Sequence, residues 1–373
     1  MGNKTWYIPV EILHSFIKDT FIGLGVPEQD AQISADVLIE SDLRGIESHG
    51  VGRLHYYYVR IKSGQHLTKT KIDVVREGKT TAVIDGNHGT GHVIAHRAME
   101  LAIKKAKEHG MGAVAVRNST HFGIAGYYPL MAVKEGLIGL SVTNARPSII
   151  PTFSVEPMLG TNPFAWGFPS DDDFPFVLDC ATSIIQRGKV EMYERAGKNL
   201  DDGLIIDSNG KPMTEPTTIL QEMVKGNAGL LPLGGAGEKF AGYKGYGFAT
   251  VVEILSAAFS GANYLKDLNG LGEDGKKVHF RLGHFFMAID PEEFMGLDAF
   301  KRVTGDIMRK LRAAKKAPGQ DHVYVAGEKE YLAYQRVKKD GVPINKGLAE
   351  KLSLIKKELG LDGYRFPFEN KKK

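Results

Sequence analysis

A single cysteine, Cys180, stands in a chain of 373 residues, which excludes an intramolecular disulfide and fits a reducing compartment, with the cytoplasm as the default. No apolar run approaches the roughly 20 residues that a membrane-spanning helix needs. The longest candidate, 248–261, is broken by Glu253. No membrane partner is expected. The N-terminal stretch MGNKTWYIPVEIL lacks a basic region followed by an apolar core and a cleavage site, and Trp6 stands where a myristoylation signal needs Ser or Thr. Charge of one sign is equally scarce: 48 Lys and Arg against 44 Asp and Glu leave a net charge of +4. The only basic run, Lys371-Lys372-Lys373, reads as a solvated tail rather than a nucleic-acid patch, so nucleic acid is not an expected partner. Internal repeats and low-complexity segments are absent as well.

What is present is the balance of a globular protein, 42% hydrophobic and 25% charged, in a chain long enough for two domains or one elaborate one. Residues 1–66 read as helices. Val10, Leu13, Phe16, Ile17 and Phe21 form an apolar stripe at helical spacing, Pro27 opens a second helix, and Leu54, Tyr57, Tyr58 and Ile61 mark a third that ends at Gly64. After Leu67 strands and helices alternate. Strands are expected at 80–85, 112–117, 137–144, 164–168, 176–178 and 278–289, with helices at 92–109 and 128–134. The Pro- and Gly-rich stretch 207–237 reads as a long ordered loop or lid, and 246–260 as an apolar, buried helix. Beyond Pro291 the chain turns helical again. The expected division is a helical segment 1–68, a sheet core 69–290, and a helical segment 291–373 that packs with the first.

Chemistry concentrates in Ser48-His49-Gly50-Val51-Gly52-Arg53, where an imidazole, a guanidinium and a hydroxyl share six residues. An imidazole titrates nearest physiological pH and suits proton transfer in a carbonyl–alcohol interconversion, while a guanidinium grips a carboxylate bidentately. A helix starting at His49 would place Arg53 on the same face. Two readings of Ser48 compete: an N-cap, or a hydrogen-bond partner of His49 that needs a non-helical backbone.

A dinucleotide fingerprint is missing. Gly270-Leu271-Gly272-Glu273-Asp274-Gly275 has the letters of G-x-G-x-x-G but no strand before it and no helix after it, and Gly89-Thr90-Gly91 is followed by Ile94 at the sixth position. A nicotinamide cofactor would therefore be held without the Rossmann motif. Of the 12 histidines, His92 and His96 have i, i+4 spacing but no third ligand, so no metal is expected. Four loops have ligand-binding character: Asn118 to Gly126 after a strand, Gly160-Thr161-Asn162-Pro163, Asp179 to Lys189, and Gly242-Tyr243-Lys244-Gly245 before a helix, where free N–H groups and a lysine suit phosphate. Turn and capping roles compete with ligand binding at each.

Together ESDLRGIESHGVGR, NSTHFGIAGYY, GTNP, LDCATS with RGKV, GYKGYG and GHFFMAIDP resemble the malate/L-lactate dehydrogenase family of NAD(P)-dependent oxidoreductases, from about Glu40 to about Glu328. The resemblance implies an α/β (α+β) fold with a mixed-sheet, non-Rossmann core. It implies hydride transfer between NAD, with NADP as the alternative, and a small 2-hydroxy or 2-oxo acid. Malate/oxaloacetate is the first choice; L-lactate, sulfolactate, ureidoglycolate or a cyclic imine are the alternatives. It implies a homodimer. His49 becomes the general acid/base with Ser48 beside it, and Arg53 binds the substrate carboxylate. His121, Phe122, Gly123, Ile124, Ala125, Thr161, Asp179, Cys180, Ala181, Arg187, Gly188 and Lys244 line the cofactor. Gly327 and Glu328 do so in a turn where Ala326 replaces a proline. Imine-reducing relatives carry an acid after Arg-Gly; Lys189 stands here, which favours a hydroxy acid. From other classes, a metal-dependent hydrolase or lyase and a non-catalytic nucleotide-binding protein are the rivals.

Overall fold

The computed structural model describes residues 5–272 and 274–369. The readings of the first four residues, of Glu273 within the glycine-rich hexapeptide and of the terminal lysine run lie outside them. The chain opens on a short strand, β1 (Trp6–Ile8), followed by α1 (Val10–Gly23) and α2 (Glu28–Leu43). A turn then leads into α3 (Leu54–Lys62), the strands β2 (Asp73–Glu77) and β3 (Thr81–Asp85), the helix α4 (Gly91–His109) and β4 (Met111–Ser119). Next come α5 (Tyr127–Lys134), β5 (Ile138–Thr143), β6 (Phe164–Phe168), β7 (Phe176–Cys180) and α6 (Arg187–Ala196). A small appendage follows, built from β8 (Ile205–Asp207), α7 (Pro216–Lys225) and β9 (Ala228–Leu230). The chain closes with α8 (Gly242–Ala257), β10 (Leu282–Ile289), α9 (Leu297–Arg312), α10 (Glu328–Asp340), β11 (Val342–Ile344) and α11 (Lys346–Glu358).

Seven strands form one mixed sheet in the order β2-β3-β4-β10-β5-β6-β7. Only β3 and β4 run parallel, joined by α4 as the crossover such a pair requires; every other neighbouring pair is antiparallel. The small residues Ala95, Ala98, Ala102 and Ala106 let α4 settle on the sheet above Val114, Val116 and Phe286, all buried. On the other face α8 covers Leu140 and Val142 with Val252. The chain ends share a separate core: Leu13, Phe16, Phe21, Leu38, Leu54 and Tyr57 pack with Val337, Leu352, Ile355 and Phe366. Full burial of each such side chain contributes about 1.5–3 kcal/mol. β1 pairs antiparallel with β11, Trp6 opposite Ile344.

Several elements differ from expectation. The first 66 residues are not all helical, because β1 precedes α1. β2 lacks an apolar face, four of its five residues being exposed at the sheet edge, and so carries no alternating signature. The stretch 207–237 is not a loop. Pro216 occupies the first turn of α7, where proline is pre-organised for a helix, and the Glu215 carboxylate accepts from the Thr217 and Thr218 N–H groups at 3.0 and 2.6 Å. The last strand begins at Leu282 rather than 278. The apolar helix starts at Gly242 and is buried on one face only: Phe248, Val251 and Ile254 are 56%, 48% and 55% exposed. β11 interrupts the helical C-terminal segment.

Candidate active site

The loop between α2 and α3 is held from below by one carboxylate. Asp42, fully buried in the last turn of α2, accepts the Val51 N–H at 2.7 Å. A Cβ on Gly50 would stand 1.9 Å from its Oδ1, so the close approach requires glycine. Burial drives the Asp42 carboxyl well above the ordinary carboxylate range. Above it the chain turns through residues 44–50: Ile46 N–H donates to Ser41 O at 2.9 Å and His49 N–H to Ile46 O at 3.0 Å. A 3-10 turn, Val51–Arg53, then runs into α3.

No helix begins at His49, so helical spacing is not what joins His49 to Arg53. The turn backbone aims the Ser48 hydroxyl at His49 Nδ1, 2.9 Å away, and Arg53 Nε donates to Ser48 O at 2.7 Å. Ser48 caps nothing with its side chain. Both Nη groups of Arg53 stay free of any carboxylate among the described residues. His49 is half-buried, and its pKa falls to about 4, through burial first and the nearby Arg53 charge second. The imidazole is therefore neutral at neutral pH.

His121 faces His49 from the loop after β4, the two rings 5.6 Å apart and within 17° of parallel. Burial, then the His49 and Arg53 charges, hold His121 well below the usual imidazole range. Its Nδ1 lies 2.5 Å from Tyr57 Oη and 3.3 Å from the Gly123 nitrogen. Gly123 has φ +83°, and a Cβ there would meet Val37 at 2.5 Å. Phe122 stacks on His284 at 4.7 Å, and His284, buried in β10, bonds Ser119 Oγ and Thr143 Oγ1 at 2.7 Å each. This loop is thus pinned to the central strand. Ala125 O accepts from Ser141 Oγ at 2.7 Å.

Asp179, at the end of β7, accepts the Gly126 N–H at 2.7 Å; burial raises its pKa to about 6. Ile124, Gly126 and Asp179 line a small cavity with Arg44 and Glu330. Cys180 is half-buried, its thiol pushed up by burial. Thr161 O accepts the Thr182 N–H at 2.9 Å, which joins the Thr161 loop to the Ala181 segment. Gly188, in the first turn of α6, backs onto Ser48: a Cβ there would lie 3.4 Å from that of Ser48. The adjacent Arg187 pairs with Glu191 at 3.2 Å. Among the described residues Ser48 Oγ bonds His49 alone, and no acid reaches it from the α6 side. Lys244 is exposed in the first turn of α8, not ahead of the helix. Glu328 is turned away from these loops, its carboxylate bonded to His322 at 2.8 Å and to the Val325 N–H at 3.1 Å. Gly327 lies against Pro175 and Val177 at the opposite end of β7 from Cys180.

Among the described residues no three His, Cys, Asp or Glu side chains are grouped to hold a metal ion. His92 is buried with both ring nitrogens unpartnered, its ring 4.5 Å from that of Tyr57. Three groups at the cleft escaped the sequence reading. Tyr57 counted only as an apolar residue, although a buried phenol needs a partner. Asp42 sits in the last turn of a helix, where an acid opposes the helix dipole and so signals a local partner. Arg60, 5.2 Å from the Tyr56 ring and 4.8 Å from that of Phe280, adds a second guanidinium.

A neutral imidazole beside a guanidinium with no carboxylate partner among the described residues, ringed by loops from a non-Rossmann mixed sheet, makes a cleft that can exchange a proton and grip a small acid. The chain belongs to the malate/L-lactate dehydrogenase family, whose sequence profile matches residues 8–353. It is an oxidoreductase that moves hydride to or from a 2-hydroxy acid, which sets aside the hydrolase and the non-catalytic readings. Over 356 residues it is 45% identical to malate dehydrogenase of Pyrococcus horikoshii, covering 95% of this chain and 96% of that protein. L-sulfolactate dehydrogenase of Methanocaldococcus jannaschii is 40% identical over 346 residues, 93% of this chain and 95% of that one. Among solved structures, malate dehydrogenase of Entamoeba histolytica superposes with a TM-score of 0.94 at 43% identity, covering 98% of this chain and 100% of that one.

Proposed function

We propose that this chain interconverts malate and oxaloacetate with NAD, NADP being the alternative cofactor. The observation that carries this is Arg53: its Nε is tied to Ser48 O, which leaves the Nη fork open for a carboxylate next to His49. With the carboxylate on Arg53, the C2 oxygen falls to His49. Nδ1 of His49 is engaged by Ser48, so Nε2 is the nitrogen that takes the hydroxyl proton in oxidation and returns it in reduction. Ser48 orients the ring. The nicotinamide ring, when bound, supplies or takes up the hydride at its C4.

The fit of a dinucleotide rests on the strand-end loops around the two histidines: the His121–Gly126 loop tied to Asp179 and the Thr161 loop tied to Thr182. His121 to Ala125, Thr161, Asp179 to Ala181, Arg187 and Gly188 would hold the cofactor, with Lys244 toward its phosphates. Gly327 and Glu328 would contribute backbone only, since the Glu328 carboxylate is already satisfied. The relatives named malate dehydrogenase support the four-carbon acid. A sulfonate in place of the distal carboxylate is the second reading, supported by the sulfolactate relative and by Arg60 and Arg146, whose charges act on Tyr56 beside Arg53.

The active form is a homodimer. Support comes from the exposed apolar face of α8, beside a groove of about 620 Å³ lined by Met158, Tyr246, Ile254 and Tyr264. The single cysteine supports a cytoplasmic enzyme. The deciding experiment is a spectrophotometric screen of oxaloacetate, pyruvate, sulfopyruvate and a cyclic imine with NADH and NADPH. Oxaloacetate should give the highest kcat/KM with NADH; a larger value for another acid reassigns the substrate.

A further inference from the structure

We propose that Tyr57 is a positioning residue that fixes His121 in the tautomer protonated at Nε2, which makes the cleft edge of His121 a standing hydrogen-bond donor opposite His49. A neutral imidazole has one N–H and one lone pair. Two donors converge on Nδ1: the Gly123 backbone N–H at 3.3 Å, which can only donate, and the Tyr57 hydroxyl at 2.5 Å. The lone pair is therefore at Nδ1 and the proton at Nε2. In the opposite tautomer two N–H groups would face each other, and the phenol proton would have nowhere to go. Tyr57 is 1% exposed, its ring is enclosed by Phe21 and His92, and besides His121 its hydroxyl oxygen meets the same Gly123 N–H, which leaves the phenol proton for His121 Nδ1.

Nε2 of His121 has no hydrogen-bond partner among the described residues, yet it is not one of the buried unpartnered nitrogens. It opens on the cleft. The two imidazole rings lie side by side, 5.6 Å between centroids and 17° from parallel, so the oxygen of a substrate that bonds His49 lies next to the open Nε2–H of His121. On the substrate reading above, on which this step rests, that oxygen is the C2 oxygen of the oxo acid. His49 exchanges the proton while His121 keeps its own, and its N–H stabilises the charge that develops on oxygen in the transition state. The His121 ring stays neutral because burial and the neighbouring charges disfavour the imidazolium.

The test uses the full-length protein labelled with ¹⁵N-histidine. Two-bond ¹H–¹⁵N spectra report the tautomer of each ring, with His121 assigned by the His121→Gln variant. Wild type should show the Nε2–H pattern and Tyr57→Phe a mixed one. An Nδ1–H pattern in wild type overturns the proposal, as does a pattern that Tyr57→Phe leaves unchanged. If the variant does not fold, the wild-type spectrum decides alone. In oxaloacetate reduction Tyr57→Phe should lower kcat roughly tenfold, part of the ~10²–10³ that a lost oxyanion donor costs, with KM and NADH affinity little changed. A changed spectrum with unchanged kcat overturns the placement of the oxygen. Wild-type protein that turns over no 2-oxo acid counts against the substrate reading, and the spectrum still judges the tautomer.

Discussion

On the proposed reading, His49 serves as a base by environment rather than by type. With its pKa at about 4, the neutral form needed to oxidise a hydroxy acid is fully present at pH 7 and is lost only as pH falls toward that value. The kcat/KM for malate oxidation should therefore stay level through pH 6.5, where an ordinary imidazole would already cut it by half. Reduction needs the protonated form and should lose about tenfold per pH unit as pH rises above the His49 pKa. A pH–rate series in both directions checks this; an acid limb centred near 6.5 in oxidation contradicts it. His49→Ala should lower kcat by roughly 10²–10⁴ while a fluorescence titration shows NADH binding retained. Near-normal turnover would remove His49 from the chemistry. The grouping of Ser48, His49 and Arg53 could be framed from sequence because the three lie within six residues. The contact of Tyr57 with His121 could not, since 64 residues separate them and only tertiary packing brings the phenol to the ring.

The element that sets these side chains is the turn between α2 and α3, and its geometry depends on a missing Cβ. Gly50→Ala should force the loop off the Asp42 carboxylate, costing about 1–3 kcal/mol in denaturant unfolding and lowering kcat together with stability. Adding Asp42→Ala should relieve the clash, so the double variant loses less than the sum of the singles. Strict additivity would show that the two residues do not meet. That a turn, not a helix, carries His49 was invisible in the letters, because Ser-His-Gly suits a cap as well as a turn. α7 was misread for a related reason: Pro216 punctuates a loop and opens a helix equally well. The strands of the central sheet were legible because buried strands leave an alternating or apolar run, whereas β2 at the edge has none.

In the whole molecule, α8 shows the limit of composition. Its apolar residues cover the sheet on one side and face outward on the other, and a sequence does not say whether its own chain or a second copy covers a face. Ile254→Asp, at 55% exposure, should convert the dimer to a monomer in light-scattering chromatography without unfolding it. A wild type that runs as a monomer would end the dimer proposal. The second whole-molecule feature is the core shared by the two ends of the chain. α3, which follows Arg53 and carries Tyr57, packs in one cluster with Leu352, Ile355 and Phe366. During synthesis the turn between α2 and α3 leaves the ribosome well before the side chains that complete the floor beneath α3, which come some 300 residues later. Until residues 352–366 are in place, α3 and the turn ahead of it lack part of the core on which they rest.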